Sequence, residues 1–287
     1  MSSGWLGCWV TLFKLRIAAL ITFTGVAAAV LAVPAWPTAG TLALLVFTLM
    51  LASASAGALN HVIDVDIDAR MARTRGRPLP SGRIGRGRVV GVALGLMVVA
   101  LATAALGMNR VVALHLFGGA FVYVVVYTAW LKRRSALNIV IGGLAGSFAA
   151  LAGGASVRPD LCLPPILLAA IIFLWTPPHF WALAIVYQED YRAAGVPMLP
   201  VTQGAKRTAW WILGHTLLLV AVSLAPMLLG ARGPAYGAAA VGLGIYYLWR
   251  NLQLLRQPTL STARAAFRAS LVYLTLLLVV MLADLRL

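Results

Sequence analysis

The sequence predicts an all-α, polytopic membrane protein: a single domain over residues 1–287, built as a bundle of about nine transmembrane helices. Three observations carry this expectation. The chain is 62% hydrophobic and 10% charged, far from the composition of an ordinary soluble domain. Runs of roughly 20 apolar residues, long enough to cross a bilayer as helices, recur from end to end. The 23 basic residues sort by loop: 19 fall on one side of the predicted spans, against Arg110, Arg158, Arg232 and Arg286 on the other.

The spans follow in order. The first, 13–33, begins at Lys14 and Arg16. The second, 39–59, follows a short connection and runs into a charged stretch at 60–87. The third, 88–107, starts where the arginines of that stretch end. The fourth, 111–130, stops at Leu-Lys-Arg-Arg. The fifth and sixth, 137–156 and 163–186, are joined by a short loop, and the sixth carries Trp-Thr-Pro-Pro-His-Phe. The seventh, 208–229, follows Lys206 and Arg207. The eighth and ninth, 234–250 and 267–285, flank the polar stretch 251–266.

By the positive-inside rule the long loops and the N-terminus face the cytoplasm, in the cell inner membrane. That topology accounts for most of the net charge of +16, so nucleic acid is not an expected partner. The start, MSSGWLGCWVTLFKLR, lacks a charged n-region followed by a small-residue cleavage site, so no signal or transit peptide is expected. Cys8 and Cys162 are far apart and imply neither a disulfide framework nor a structural metal.

The acids do not follow from topology. Of seven in the chain, Asp64, Asp66, Asp68, Glu189 and Asp190 fall in two clusters on the basic side, each at the end of an even-numbered span. Each cluster is followed by a Pro-Leu-Pro or Pro-Met-Leu-Pro turn and then basic residues, which suggests a parallel repeat offset by four spans. On a helix continuing from the second span, Asn60, Asp64 and Asp68 share one face, while Asp66 points roughly opposite. His61 also points off that face. Three oxygen-bearing side chains on one stripe suit a hard cation such as Mg2+. Arg73 and Arg77 are also four apart, and guanidinium forks match phosphate oxygens. Lys132 and Lys206 lie on the same side and add positive charge. Carboxylates, basic residues and an apolar bundle together suggest an isoprenyl diphosphate. Its allylic C–O bond ionises when the leaving group is neutralised.

These residues resemble a family. NHVIDVDIDARMARTRGRPLP (60–80) is similar to the N-x-x-x-D-x-x-x-D-x-x-M-x-R-T-x-x-R-P signature of the intramembrane UbiA-type prenyltransferases. WTPPHFWALAIVYQEDYRAAGVPMLP (175–200) and YTAWLKRRSALNIVIGG (127–143) resemble segments of the haem-modifying branch, the protoheme IX farnesyltransferases. The resemblance runs from about residue 10 to the end, except that LAGSFAALAGG stands where that branch usually has a Pro-Pro pair.

The resemblance implies a farnesyl transfer from farnesyl diphosphate to a vinyl group of haem B, with water addition giving haem O. It implies Mg2+ held by Asn60, Asp64, Asp68, Glu189 and Asp190, with Asp64, Asp68 and Asp190 central to catalysis. Arg73, Arg77, Lys132 and Lys206 are the expected diphosphate ligands. His179 is either a ligand to haem iron or a partner for carbonyls freed by Pro177 and Pro178. A downstream haem-oxidising enzyme or a terminal oxidase is the expected docking partner. Two other readings compete: the same chemistry on a quinone-ring precursor, and a cation transporter. A transporter's charges belong at the bilayer midplane, whereas these lie at one face.

Overall fold

The computed structural model describes residues 4–160 and 162–284; Arg286 and the last residue of the ninth predicted span lie outside them. Among the described residues all regular structure is helical. Nine long helices follow one another: α1 (Leu15–Leu31), α2 (Ala39–Ile63), α3 (Arg86–Gly107), α4 (Arg110–Arg133), α5 (Asn138–Val157), α6 (Leu163–Val186), α7 (Leu199–Leu228), α8 (Pro234–Arg256) and α9 (Leu260–Ala283). Seven are long and apolar enough to cross a membrane, and α1 joins them when counted with the segment Trp5–Leu12, from which it is bent by 43°. The exception is α8, whose last turns carry Arg250, Asn251, Gln253 and Arg256.

The boundaries differ from the sequence reading where polar residues extend a helix beyond its apolar run. Helix α9 starts seven residues early because Thr259 and Thr262 cap it reciprocally, side chain to backbone. Helix α7 starts nine residues early, with Pro200 in its first turn, and then changes direction at Gly204, whose φ is +77°. Helix α2 begins at a Thr38 cap, as a span opening at 39 requires. Helix α4 is α-helical to Phe121, widens to a π-helix over Val122–Trp130, and tightens to a 3-10 turn over Leu131–Arg133. Helix α6 runs through Pro177 and Pro178 without ending.

Helices α2 to α5 pack in sequence, and so do α6 to α9. In the second group α9 closes firmly back onto α6. In the first, α1 wedges between α2 and α5 and holds them apart. Small residues permit the wedge: a Cβ added at Gly153 of α5 would lie 1.9 Å from the Gly25 carbonyl oxygen of α1. Each group has its own apolar core, around Leu45, Leu49, Ala100 and Leu116 in one and Leu168, Tyr247 and Tyr273 in the other. A further core joins Ile67, within the first acidic cluster, and Met71, just after it, to Trp181, Ile185 and Met198 around the second. This core fixes the two clusters relative to each other. Leu94, Val98, Leu106, Leu217 and Ile245 are exposed, as lipid-facing residues should be.

Candidate active site

Helix α2 ends at Ile63, and a six-residue helix, Val65–Arg70, follows. The predicted continuous helix is therefore interrupted at Asp64 (φ −87°, ψ 6°). The four-residue phase survives the break, because Asp64 N–H donates to the Asn60 carbonyl at 2.9 Å and Asp68 N–H to the Asp64 carbonyl at 2.8 Å. Asn60, Asp64 and Asp68 are each less than 5% exposed. Asp66 points the other way, where the Arg133 guanidinium donates to both its oxygens at 2.7 Å. Arg133 also donates to the Ile63 carbonyl at 2.8 Å, closing the end of α2. Its hydrogen bonds hold the Asp66 carboxyl down at about 2.

Three cations face the buried stripe. Lys132 Nζ lies 2.5 Å from Asp64 Oδ2. Arg77 Nη1 donates to both Asp68 oxygens, at 2.9 and 2.8 Å. Lys14 Nζ donates to Asn60 Oδ1 at 2.6 Å and to the Tyr123 hydroxyl at 3.0 Å. Asn60 Nδ2 in turn donates to Asp64 Oδ2 at 2.9 Å and to Thr128 Oγ1 at 3.0 Å. Burial pushes the Asp68 carboxyl up, but neighbouring His61 and Arg77 outweigh it and hold it at about 2.

Two local distortions serve this cluster. Lys14, at the bend before α1, has φ +49°, a left-handed conformation that costs a non-glycine residue roughly 1–2 kcal/mol. The π-helix of α4 lets Thr128 Oγ1 donate five residues back to the Tyr123 carbonyl at 2.7 Å, so Tyr123, Thr128 and Lys132 all reach the stripe.

The second cluster is divided. Asp190, in the short helix Gln188–Ala193 that follows α6, accepts the backbone N–H of Ala72 on Oδ1 at 3.1 Å, tying that helix to the loop after Asp68. Arg73 lies over the Tyr187 ring at 4.8 Å. Glu189 is exposed and pairs with Arg192, so its carboxylate is not gathered into the stripe. Lys206 is not gathered either: its Nζ donates to the Leu255 carbonyl at 2.5 Å, satisfying the open end of α8. His179 sits apart, with Nδ1 2.7 Å from Ser270 Oγ on α9. It therefore does not bond the carbonyls freed by the prolines.

Sequence reasoning missed Lys14, Tyr123 and Thr128, and it set His61 off the stripe as a solvated or supporting residue; His61 is buried, with Nδ1 3.6 Å from Asp68 Oδ2. Thr128 precedes Lys132 by one helical turn, a spacing that was visible. Tyr123 enters only through the π register.

Asp64 Oδ1 is buried and has no hydrogen-bond partner among the described residues. Among the described residues, no three acidic, histidine or cysteine side chains converge there as a ready metal cage. The donors still fit Mg2+, which is commonly held by one or two carboxylates completed by substrate phosphates. A free carboxylate oxygen beside a second carboxylate and an amide oxygen is such a set.

Comparison with known proteins gives consistent results. Protoheme IX farnesyltransferase 1 of Paramagnetospirillum magneticum is 48% identical over 277 residues, covering 96% of this chain and 97% of that protein. Protoheme IX farnesyltransferase of Alkalilimnicola ehrlichii is 44% identical over 284 residues, covering 97% and 94%. The structure of a digeranylgeranylglyceryl phosphate synthase superposes with a TM-score of 0.79 at 19% identity, covering 98% of each chain. A UbiA homolog from Archaeoglobus fulgidus bound to DMAPP and Mg2+ does so at 0.71 and 17% identity, covering 93% of this chain and 99% of that one. At such identities the two structures speak for the fold alone. Residues 19–278 match the UbiA prenyltransferase family, and with relatives this similar over nearly the whole length, the chain belongs to that family.

Proposed function

We propose that this chain transfers a farnesyl group from farnesyl diphosphate to a vinyl group of protoheme IX (haem B), giving haem O. The observation that carries the acceptor is the near-full-length similarity to protoheme IX farnesyltransferases. The diphosphate half rests on the buried Asn60–Asp64–Asp68 stripe and its facing cations.

Asn60, Asp64 and Asp68 would hold Mg2+, with Asp190 at the edge. When bound, the ion supplies positive charge to the diphosphate. Arg77, Lys132, Lys14 and Arg73 would exchange their present partners for phosphate oxygens. The allylic C–O bond then breaks and its electron pair leaves with diphosphate. The terminal vinyl carbon attacks C1 of the farnesyl cation. The positive charge, now beside the porphyrin ring, captures water, which loses one proton to give the hydroxyl. The apolar bundle keeps other water from the farnesyl cation before the vinyl group reaches it. His179 would seat the acceptor by ligating its iron. The long basic loops on the same side support a site at the cytoplasmic face of the inner membrane.

The test is incubation of membranes containing the protein with haem B, farnesyl diphosphate and Mg2+, followed by mass analysis of extracted haem. A mass increase matching one farnesyl group plus one hydroxyl supports the reading. Prenylation of a quinone precursor with unchanged haem would overturn the acceptor while keeping the diphosphate site.

A further inference from the structure

The Trp-Thr-Pro-Pro-His-Phe segment of α6 directs two polar side chains at one residue of α9, Ser270, which is fully buried. Trp175 Nε1 donates to the Ser270 backbone carbonyl at 2.8 Å. His179 Nδ1 lies 2.7 Å from Ser270 Oγ. Ser270 Oγ itself lies 2.6 Å from the Phe267 carbonyl oxygen. A carbonyl can only accept, so a contact that short between two oxygens needs the serine proton between them.

A serine has one hydroxyl proton. With that proton committed to Phe267, Oγ can only accept from His179. The imidazole therefore carries its proton on Nδ1, and its Nε2 presents a lone pair. Nε2 makes no hydrogen bond among the described residues and is not sealed by its neighbours. The ring is also held in place. Trp175 stacks on it at 4.1 Å, Phe267 packs against it at 4.7 Å, and Phe180 meets it edge-on at 5.4 Å. Metal-binding histidines are commonly set this way, with one ring N–H given to an oxygen that fixes tautomer and orientation while the other nitrogen faces the metal.

We infer that Ser270 is a positioning residue for the acceptor: it accepts the Nδ1 proton of His179 and so presents Nε2 as an axial ligand to haem iron. The inference rests on the haem reading above, since His179 has iron to bind only if haem is the acceptor. It adds that the haem seat is built at the α6–α9 contact, with one ligand on α6 and its support on α9. It also explains why a serine hydroxyl is buried there, with both its donor and its acceptor capacity in use.

The experiment is titration of the detergent-purified full chain with ferric haem, read by Soret absorption and by electron paramagnetic resonance. The wild type is expected to give a histidine-ligated spectrum, which His179→Ala loses. Ser270→Ala leaves the Trp175 bond to the backbone intact, so the fold should hold. It is expected to weaken haem binding by about 10–100-fold, the usual effect of removing a support of this kind, and to alter the spectrum. Ser270→Cys, close in size but a poorer acceptor, should fall between. Wild-type affinity and spectrum in Ser270→Ala, with ligation lost in His179→Ala, would overturn the role of Ser270 and leave the haem reading standing. Unchanged ligation in His179→Ala would remove the iron-ligand reading itself. Should Ser270→Ala misfold, a folded Ser270→Cys protein indistinguishable from wild type would equally overturn the proposal.

Discussion

Lys132→Met is the most informative single change. It keeps most of the length of the side chain and removes the charge together with its hydrogen-bond donors. In the resting structure Lys132 Nζ sits 2.5 Å from Asp64 Oδ2, and the two side chains are 12% and 2% exposed. Removing one partner of a buried pair costs about 3–5 kcal/mol. Asp64 Oδ2 keeps the Asn60 Nδ2 donor at 2.9 Å, so the carboxylate is not left bare. The expected loss therefore lies at the lower end, about 3 kcal/mol, which a membrane bundle of ordinary stability survives. The effect on catalysis should be at least as large. Losing one pre-set donor from the charge that develops on leaving diphosphate costs about 10²–10³ in kcat, or about 3–4 kcal/mol. The two effects separate with ligand present. Mg2+ and farnesyl diphosphate would compensate Asp64, restoring the melting temperature while kcat stays low. Thermal unfolding in detergent and initial rates of farnesylated haem, with and without both ligands, measure this. A kcat within about threefold of wild type, under 1 kcal/mol of barrier, would refute the placement of Lys132 on the diphosphate.

Three further outcomes follow from the same geometry. Asp64→Asn or Asp68→Asn should abolish farnesyl transfer in protein that still inserts and unfolds cooperatively; near-normal turnover with Mg2+ present would sink the metal assignment. Asp66→Asn should leave turnover within a few-fold, because the carboxylate points away from the stripe. Asp66 is 43% exposed, so losing its pair with Arg133 should cost under about 1 kcal/mol. Its carboxyl is depressed from 3.8 to about 2, so its contribution is present above pH 3.8 and lost as pH falls through about 2. Unfolding midpoints of wild type and Asp66→Asn should therefore differ by a constant amount above pH 4 and converge near pH 2. Gly153→Ala places a Cβ 1.9 Å from the Gly25 carbonyl oxygen, so α1 and α5 must separate by more than an ångström. Strain of that kind costs about 1–3 kcal/mol, and an unchanged melting temperature would show that the wedge of α1 is not tightly held.

The sequence announced what depends on local spacing. Runs of apolar residues marked nearly every helix, and the interval between Asn60, Asp64 and Asp68 put them on one face even though the helix breaks at Asp64. The outward turn of Asp66 followed from the same interval. What depends on long-range approach was hidden. Lys14 looked like one more positive-inside charge at the start of a span. It reaches Asn60 only because the chain bends there through a left-handed residue and α1 wedges between α2 and α5. The π-helix has no plain signal in Val-Tyr-Val-Val-Val-Tyr-Thr, so Tyr123 was invisible. Lys206 and Glu189 misled in the opposite direction. Each shared a face with the site by charge sorting, but nearer partners at a helix end and one turn away hold them. Topology sorts charges by side of the membrane, and only packing sorts them by partner.

That partnering makes a prediction about binding order. At rest Asp64 and Asp68 face Lys14, Arg77 and Lys132, an excess of one positive charge in a buried setting. A divalent ion arriving alone would raise that excess to about three, and each uncompensated buried charge is costly. A prenyl diphosphate arriving alone, with roughly three negative charges at neutral pH, would reverse the balance to about minus two. Arriving together they bring the site close to neutrality. Metal and diphosphate should therefore bind with strong positive coupling, and the coupling must be reciprocal. Inorganic pyrophosphate is expected to tighten Mn2+ binding by at least about tenfold, or 1.4 kcal/mol, by electron paramagnetic resonance of the purified chain corrected for the complex in solution. Lys132→Met removes one of the competing cations, so it should tighten Mn2+ alone and shrink the coupling. Equal Mn2+ affinity with and without pyrophosphate in wild type would mean that the three cations do not oppose the metal. The stripe would then have to be read as a set of structural ion pairs.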